Sequence, residues 1–284
     1  MNGFRPGVRR REIRDADLAG VTELLRRGFS HRPRAFWERG LRRMGERPAV
    51  DGCPRYGFLL DDGSRPVGVA LMLFGRDGAG HVRCNLSSWT VDPAFRAQAP
   101  FLVASALKRP EVTFTNISAA PHTWPTIEAQ GFRAYSERRS LVLPLLGPAG
   151  ERARVSADPA SWRGLPEATL LDDHRGYGCT CLTVEAEGPP CPLVLAPVRV
   201  RAGRYPLPVL QVVFCRDIAD VSRYAGAIGR WMTRRGAVGL LVDGGVPGGL
   251  VGGPWIRRGR RYARGPHPPR IGDLSYTELA IFGP

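Results

Sequence analysis

Apolar residues recur at helical spacing over residues 15–27. Leu18, Val21, Leu24 and Leu25 form one stripe, Asp15 offers an oxygen to the free amides of the first turn, and Gly28 suits the stop. A second helix is expected over residues 33–45, with Phe36, Trp37, Leu41 and Met44 on its packing face. The period then changes. Residues 56–60 and 66–74 are apolar runs joined by the turn Asp61-Asp62-Gly63-Ser64, which reads as a hairpin, and residues 82–91 read as a third strand. A helix over 98–108, stopped by Pro110, leads to a β-branched strand at 112–117, a helix at 123–130 ending at Gly131, and a strand at 132–143 that closes this half.

Residues 146–160 carry the turn residues and charge of a linker, so the expected division is 1–145, linker 146–160, and 161–284. The second half repeats the order of elements without repeating residues. A weak helix at 166–173 precedes strands at 179–185, 193–200 and 209–215. A long helix at 217–235 has Asp217 as its cap, Ile218, Val221, Ala225, Ile228 and Met232 as its stripe, and Gly236 as its end. A buried strand at 238–242, a Gly-rich rim at 244–253 and a closing strand at 274–282 follow. A meander followed by a β-α-β crossover implies, in each half, a mixed and mostly antiparallel sheet with helices on its faces.

Composition narrows the class. At 284 residues, 43% hydrophobic and 24% charged, each half can bury a core. The 41 basic against 26 acidic residues give +15, yet Lys108 is the sole lysine and the arginines are scattered. That pattern fits a solvated basic surface, with a polyanionic ligand as the sharper alternative. The six cysteines lack a disulfide framework, and Cys179 and Cys181 share a strand face without a C-x-x-C or histidine partner, so no metal is expected. No run nears the ~20 apolar residues of a membrane span, and no apolar run follows Arg5, Arg9, Arg10 and Arg11, so the expectation is a soluble, cytoplasmic protein without membrane insertion.

Two segments carry a resemblance. Ser88-Trp89-Thr90-Val91-Asp92-Pro93-Ala94-Phe95-Arg96 is similar to the end of the fourth strand of the GNAT-type N-acyltransferases, where V-x-P-x-x-R is common. Thr115-Asn116-Ile117, followed by Glu128-Ala129-Gln130-Gly131-Phe132, resembles that family's N…Y-x-x-x-G-F segment. The likeness covers residues 12–143; the second half resembles the fold only in element order. It implies an α/β (α+β) chain of two GNAT-like halves and an acyltransferase moving an acyl group from acyl-CoA or acetyl-CoA to an amine or hydroxyl. The family mechanism implies a backbone amide near Val91 polarising the thioester carbonyl, with Arg96, Ala97, Gln98, Ala99 and Asn116 as further cosubstrate contacts.

The chain also departs from the pattern. Ala99 and Phe101 stand where the family has small residues, Pro100 removes a backbone donor, and Ile127 stands where the family often has the tyrosine that protonates the leaving thiolate. Candidate proton carriers are His122 after the fifth strand, Asp243 at a strand end, and Glu278, with Asp273 nearby, on the last strand. Each also reads as an ordinary surface or turn residue. Residues 244–253 lack the Lys-Ser/Thr of a phosphate loop. Arg257, Arg258, Arg260, Arg261 and Arg264, interleaved with Trp255 and Tyr262, form either a solvated face or a grip for a polyanion. Two other readings stand beside the first: a Fem-like transferase using aminoacyl-tRNA, and a non-catalytic binding protein that kept the fold. The acceptor, a small molecule or a polyanion, and the oligomeric state leave no signature.

Overall fold

The computed structural model of the chain describes residues 7–104, 106–147, 151–202, 204–256 and 259–283. The first elements are β1 (Arg9–Glu12), α1 (Leu18–Gly28), α2 (Arg34–Glu46), β2 (Gly57–Asp61), β3 (Pro66–Arg76) and β4 (Val82–Val91). Next come α3 (Ala99–Ala104), β5 (Thr113–Asn116), α4 (Trp124–Ala129), β6 (Arg133–Ser136), β7 (Arg139–Val142) and β8 (Arg154–Ser156). The chain continues with α5 (Ala168–Gly176), β9 (Thr180–Glu185), β10 (Cys191–Ala202), β11 (Tyr205–Cys215), α6 (Ala219–Arg223) and α7 (Ala225–Thr233). It ends with β12 (Gly239–Asp243), β13 (Gly252–Ile256), β14 (Arg261–Arg264) and α8 (Glu278–Ile281).

These strands form two mixed, mostly antiparallel seven-stranded sheets, the expected fold class. The first runs β1-β2-β3-β4-β5-β14-β6 and the second, read from its other edge, β8-β9-β10-β11-β12-β7-β13. Position by position the two orders match, except for an exchange. The strand that follows β6 in the chain, β7, joins the second sheet, and the strand that follows β13, β14, joins the first. The expected single strand over 132–143 is therefore two strands in two sheets, broken at Glu137-Arg138. The amphipathic stripes do what their spacing predicts: Val21, Leu24 and Leu25 of α1 and Phe36, Trp37, Leu41 and Met44 of α2 are buried.

By packing, the chain divides into a first unit, Met1–Ile117 with Ala263–Pro268, and a second, Ser118–Tyr262 with Pro269–Pro284. In the first, Arg11 on β1 forks onto Asp17 and reaches Asp61 on β2, each at 2.7 Å, tying the first turn to the sheet. In the second, α6 and α7 cover a core built on Leu182, Leu195, Val212, Leu240 and Val242.

Four further expectations change. The helix expected over 217–235 breaks at Tyr224, which turns into the core, and Gly229 of α7 lies so close to Leu145 that a Cβ would sit 2.7 Å from its backbone nitrogen. The closing strand over 274–282 is instead a turn and the short helix α8, and Thr277, Ala280 and Ile281 are buried there at helical spacing. The region read as rim and arginine face holds β13 and β14. The expected linker contains β8, paired to β9. Among the described residues no helix is long and apolar enough to cross a membrane.

Candidate functional site

The fourth strand of each sheet runs parallel to the fifth for a short distance and then parts from it. In the first sheet the parallel register Arg83↔Thr113, Cys84↔Phe114, Asn85↔Thr115 ends there, and β4 continues to Val91. Its pairing to β3 slips between Val69↔Thr90 and Leu71↔Ser87, so an extra residue bulges, and Ser88 takes φ +47°. A non-glycine residue in the left-handed region is strained and persists only where its surroundings hold it. In the sheet order β4 has β3 and β5 as neighbours and no other strand, and Ser88–Val91 are half-exposed. The Nε1 of Trp89 in this segment is buried and has no hydrogen-bond partner among the described residues. The C-terminal turn of α1 abuts the segment: a Cβ on Gly28 would lie 2.8 Å from Thr90 Cβ, so only glycine allows this approach.

The second sheet repeats the design and then closes it. The parallel register Val209↔Gly239, Leu210↔Leu240, Gln211↔Leu241 ends, and β11 bulges between Val212 and Phe214. Here the C-terminal segment takes the open side. Leu274 donates its amide to Val213 at 2.7 Å, Cys215 donates to Gly272 at 3.0 Å, and Phe214 and Asp273 form an antiparallel bridge. His174, fully buried, fixes this segment. Tyr276, at φ +56°, donates its amide to His174 Nε2 at 3.1 Å, so Nδ1 carries the proton that bonds Leu170 O at 2.7 Å, while Tyr276 Oη donates to Asp173 at 2.8 Å.

The expected contacts Val91, Arg96, Ala97, Gln98, Ala99 and Asn116 all lie in the first unit, with Asn116 at the end of β5. Residues 93–98, however, form a 3-10 helix running into α3, not an open anion loop. Phe95 donates to Asp92 O and Ala99 to Arg96 O, and tighter helical bonds take up the amides between. Arg96 and Ala97 are exposed; Gln98 is buried, its Oε1 without a partner among the described residues. The helix expected over 98–108 is thus a 3-10 turn, α3, and a second 3-10 turn.

The proton-carrier candidates lie in the second unit. His122 is exposed on a 3-10 turn before α4. Asp243 is 4% exposed and gives both oxygens to Arg261, 5% exposed, at 3.0 Å each. An aspartate bound in that way serves as an ion-pair partner, which removes it as a free base. Burial works against the Arg261 charge, but the charge and hydrogen bonds of Asp243 outweigh it and raise its pKa; Glu278, at the start of α8, adds to the attraction. The structure thus gathers Asp243 and Glu278 around one guanidinium. Asp273 lies in the bridge to Phe214. Ile127, where the family often has a tyrosine, is 3% exposed in α4.

The arginine cluster divides. Arg261 is internal, Arg260 pairs with Glu128 at 3.1 Å and lies over the Trp124 ring, and Arg257 and Arg258 fall outside the described residues. Cys181 and Cys215 are buried, and burial pushes each thiol up to about 12, so neither is a thiolate at neutral pH.

The fold defined by these paired splayed strands is the GNAT-type N-acetyltransferase fold, present twice in one chain. Solved structures with this arrangement include a candidate acetyltransferase from Pyrococcus horikoshii, 14% identical with a TM-score of 0.59, covering 100% of this chain and 98% of that one. A protein of unknown function from Enterococcus faecalis, described as a probable N-acyltransferase, is 10% identical with a TM-score of 0.55 over 95% of this chain and 74% of that one. A GCN5-related N-acetyltransferase from Kribbella flavida is 13% identical with a TM-score of 0.53 over 90% of this chain and 70% of that one. No protein-family model matches the sequence, and no curated protein matches it.

Proposed function

We propose that the protein is an acyltransferase that takes its acyl group from a thioester, acyl-CoA or acetyl-CoA, at the splayed end of β4 in the first unit, and passes it to an amine or hydroxyl. One observation carries this reading: of two strand ends of the same design, one is left open and strained while the other is filled by the chain itself. A strained, half-exposed strand end with an unpartnered indole N–H is where a ligand repays the cost.

The fit to coenzyme A is uneven along the molecule. The half-exposed end of β4, with the unpartnered Trp89 Nε1 and Gln98 Oε1, suits a chain bearing amide and carbonyl groups. The diphosphate finds no open turn of amides at 96–99, since those amides are bound within the 3-10 helix. The reading is therefore of a donor held by its thioester arm.

A thioester supplies an acyl carbon with a good leaving group. The chain's part is to present N–H donors where the carbonyl oxygen gains charge, for which the amide near Val91 and Trp89 Nε1 are the candidates. None of Val91, Ala97, Gln98, Ala99 and Asn116 has a titratable side chain, so in this reading the attacking amine gives its proton to water. The C–N bond forms as the C–S bond breaks.

The test is calorimetric binding of acetyl-CoA, of tRNA, and of an acetyl thioester truncated before the diphosphate, followed by an acyl-transfer assay. Affinities for acetyl-CoA and the truncated thioester within about tenfold are expected, a gap of no more than ~1.4 kcal/mol. Binding of tRNA alone would move the reading to an aminoacyl-tRNA-dependent transferase. Binding of neither would leave a non-catalytic protein.

A further inference from the structure

Arg139, half-buried, stands out among the charges of the second unit. It begins β7, directly opposite Asp243 in the register with β12 and opposite Ile256 on β13. The carboxylate it faces is already taken, because both oxygens of Asp243 are bound by Arg261. Two guanidiniums thus share one aspartate, and the second makes no hydrogen bond among the described residues. Its Nε is enclosed and unpartnered. Its stem lies against Gly259, where an added Cβ would come within 3.0 Å of Nε and 3.3 Å of Cγ. The glycine seats the side chain without offering it an acceptor. Burial and the like charge of Arg261 weaken its hold on its proton, bringing it down to about 10, with Asp243 only partly opposing them.

A desolvated cation without an acceptor costs the fold free energy. Arginine keeps its charge under that strain, and its planar fork matches two oxygens of one anion. Arg139 as a whole is half-buried, so the side chain keeps some access to solvent. Asp243 closes the parallel strand β12, and ligands of such sheets gather beyond the carboxyl ends of the strands.

We propose that Arg139 anchors an anion-binding site in the second unit, taking a carboxylate or phosphate group of a ligand on its two Nη groups. The site is separate from the donor reading of the first unit, and its test uses no acyl donor. The full chain is titrated with sodium phosphate and with sodium succinate, each against sodium chloride at equal ionic strength, by calorimetry and by melting midpoint. One of the two anions is expected to bind saturably, and which one does so tells phosphate from carboxylate. Arg139→Gln is expected to weaken that binding about tenfold or more, as loss of a charge-assisted fork does, with Arg139→Lys in between. Without anion, Arg139→Gln is expected to melt at or above wild type, because it removes a half-buried charge that has no hydrogen bond among the described residues. Gly259→Ala, which keeps the charge and displaces the side chain, is expected to weaken binding too. Chloride-like responses to both anions, wild-type affinity in Arg139→Gln, or a marked drop in its midpoint without anion would each overturn the proposal.

Discussion

In both sheets the fourth strand leaves its parallel neighbour at the end of a short register and then bulges, at Ser88 in β4 and around Val213 in β11. Beyond that point the two regions differ. The end of β4 stays half-exposed, with a strained residue and an orphaned indole N–H, while the end of β11 is buried to Cys215 and hydrogen-bonded to residues 272–274. The contrast separates what the architecture imposes from what a site adds. Splay and bulge come with the topology; whether the opening is filled is decided by the segment laid beside it.

The largest effect expected from breaking this contrast lies at the filled end. Asp243→Ala strips the buried Arg261 of the carboxylate that accepts both of its forked hydrogen bonds, a loss of about 3–5 kcal/mol. Scaled by size, that is a fall of roughly 6–20 °C in midpoint by calorimetry. A catalytic base would instead leave the midpoint near wild type and lower only turnover.

Next in size is the clasp that holds the filling segment. His174→Phe keeps a ring but removes the acceptor for the Tyr276 amide and the donor to Leu170, at a cost of roughly 1–3 kcal/mol. Amide exchange of residues 272–276 should quicken by about fivefold to a hundredfold, with the first unit unchanged. Uniform destabilisation without local quickening would mean that the segment is not a separable plug.

At the open end the sharpest probe is Gly28→Ala. The new Cβ meets Thr90, and relieving the overlap costs about 1–3 kcal/mol or shifts the end of β4. Loss of thioester binding is expected in a chain that still folds, with a midpoint lowered by roughly 2–12 °C at most, both read by calorimetry; undiminished binding would place the donor elsewhere.

The smallest effect is on acid stability. Hydrogen bonds from Arg216 hold the Glu167 carboxyl below its ordinary value of 4.5, with burial opposing. Because the folded value is depressed, the contribution is present in full above pH 4.5 and is lost as pH falls through the folded value. Solvent screens this partly exposed pair, so Glu167→Gln should cost about 1 kcal/mol or less at pH 7 and nothing in strong acid. A constant difference across the range would contradict the assignment.

Much of the fold was legible in the sequence because its signals are local. The stripe of α1, the hairpin at 61–64 and the β-branched run of β5 each specify an element through a handful of neighbouring residues. What escaped depends on partners far along the chain. Nothing around Glu137-Arg138 indicates that β6 and β7 enter different sheets, and Arg261 looked like one member of a basic surface until β14 placed it on Asp243. Val91 marks the end of β4 in the sequence, but the helical bonding of residues 93–98 has no sequence mark beyond Pro93. Arg139 escaped notice altogether, since an unpaired cation is defined by what its neighbours already bind.

The central claim is that the open end of β4, and not its filled counterpart, receives the acyl donor. Hydrogen exchange with mass spectrometry, with and without saturating acetyl-CoA or the truncated thioester, tests it on the intact chain. The expected result is protection in peptides covering residues 86–92 and 113–117, with residues 211–215, 239–243 and 270–277 unchanged. Protection confined to 211–215 and 270–277 would contradict the account, and so would saturation by the donor with no protection at 86–92.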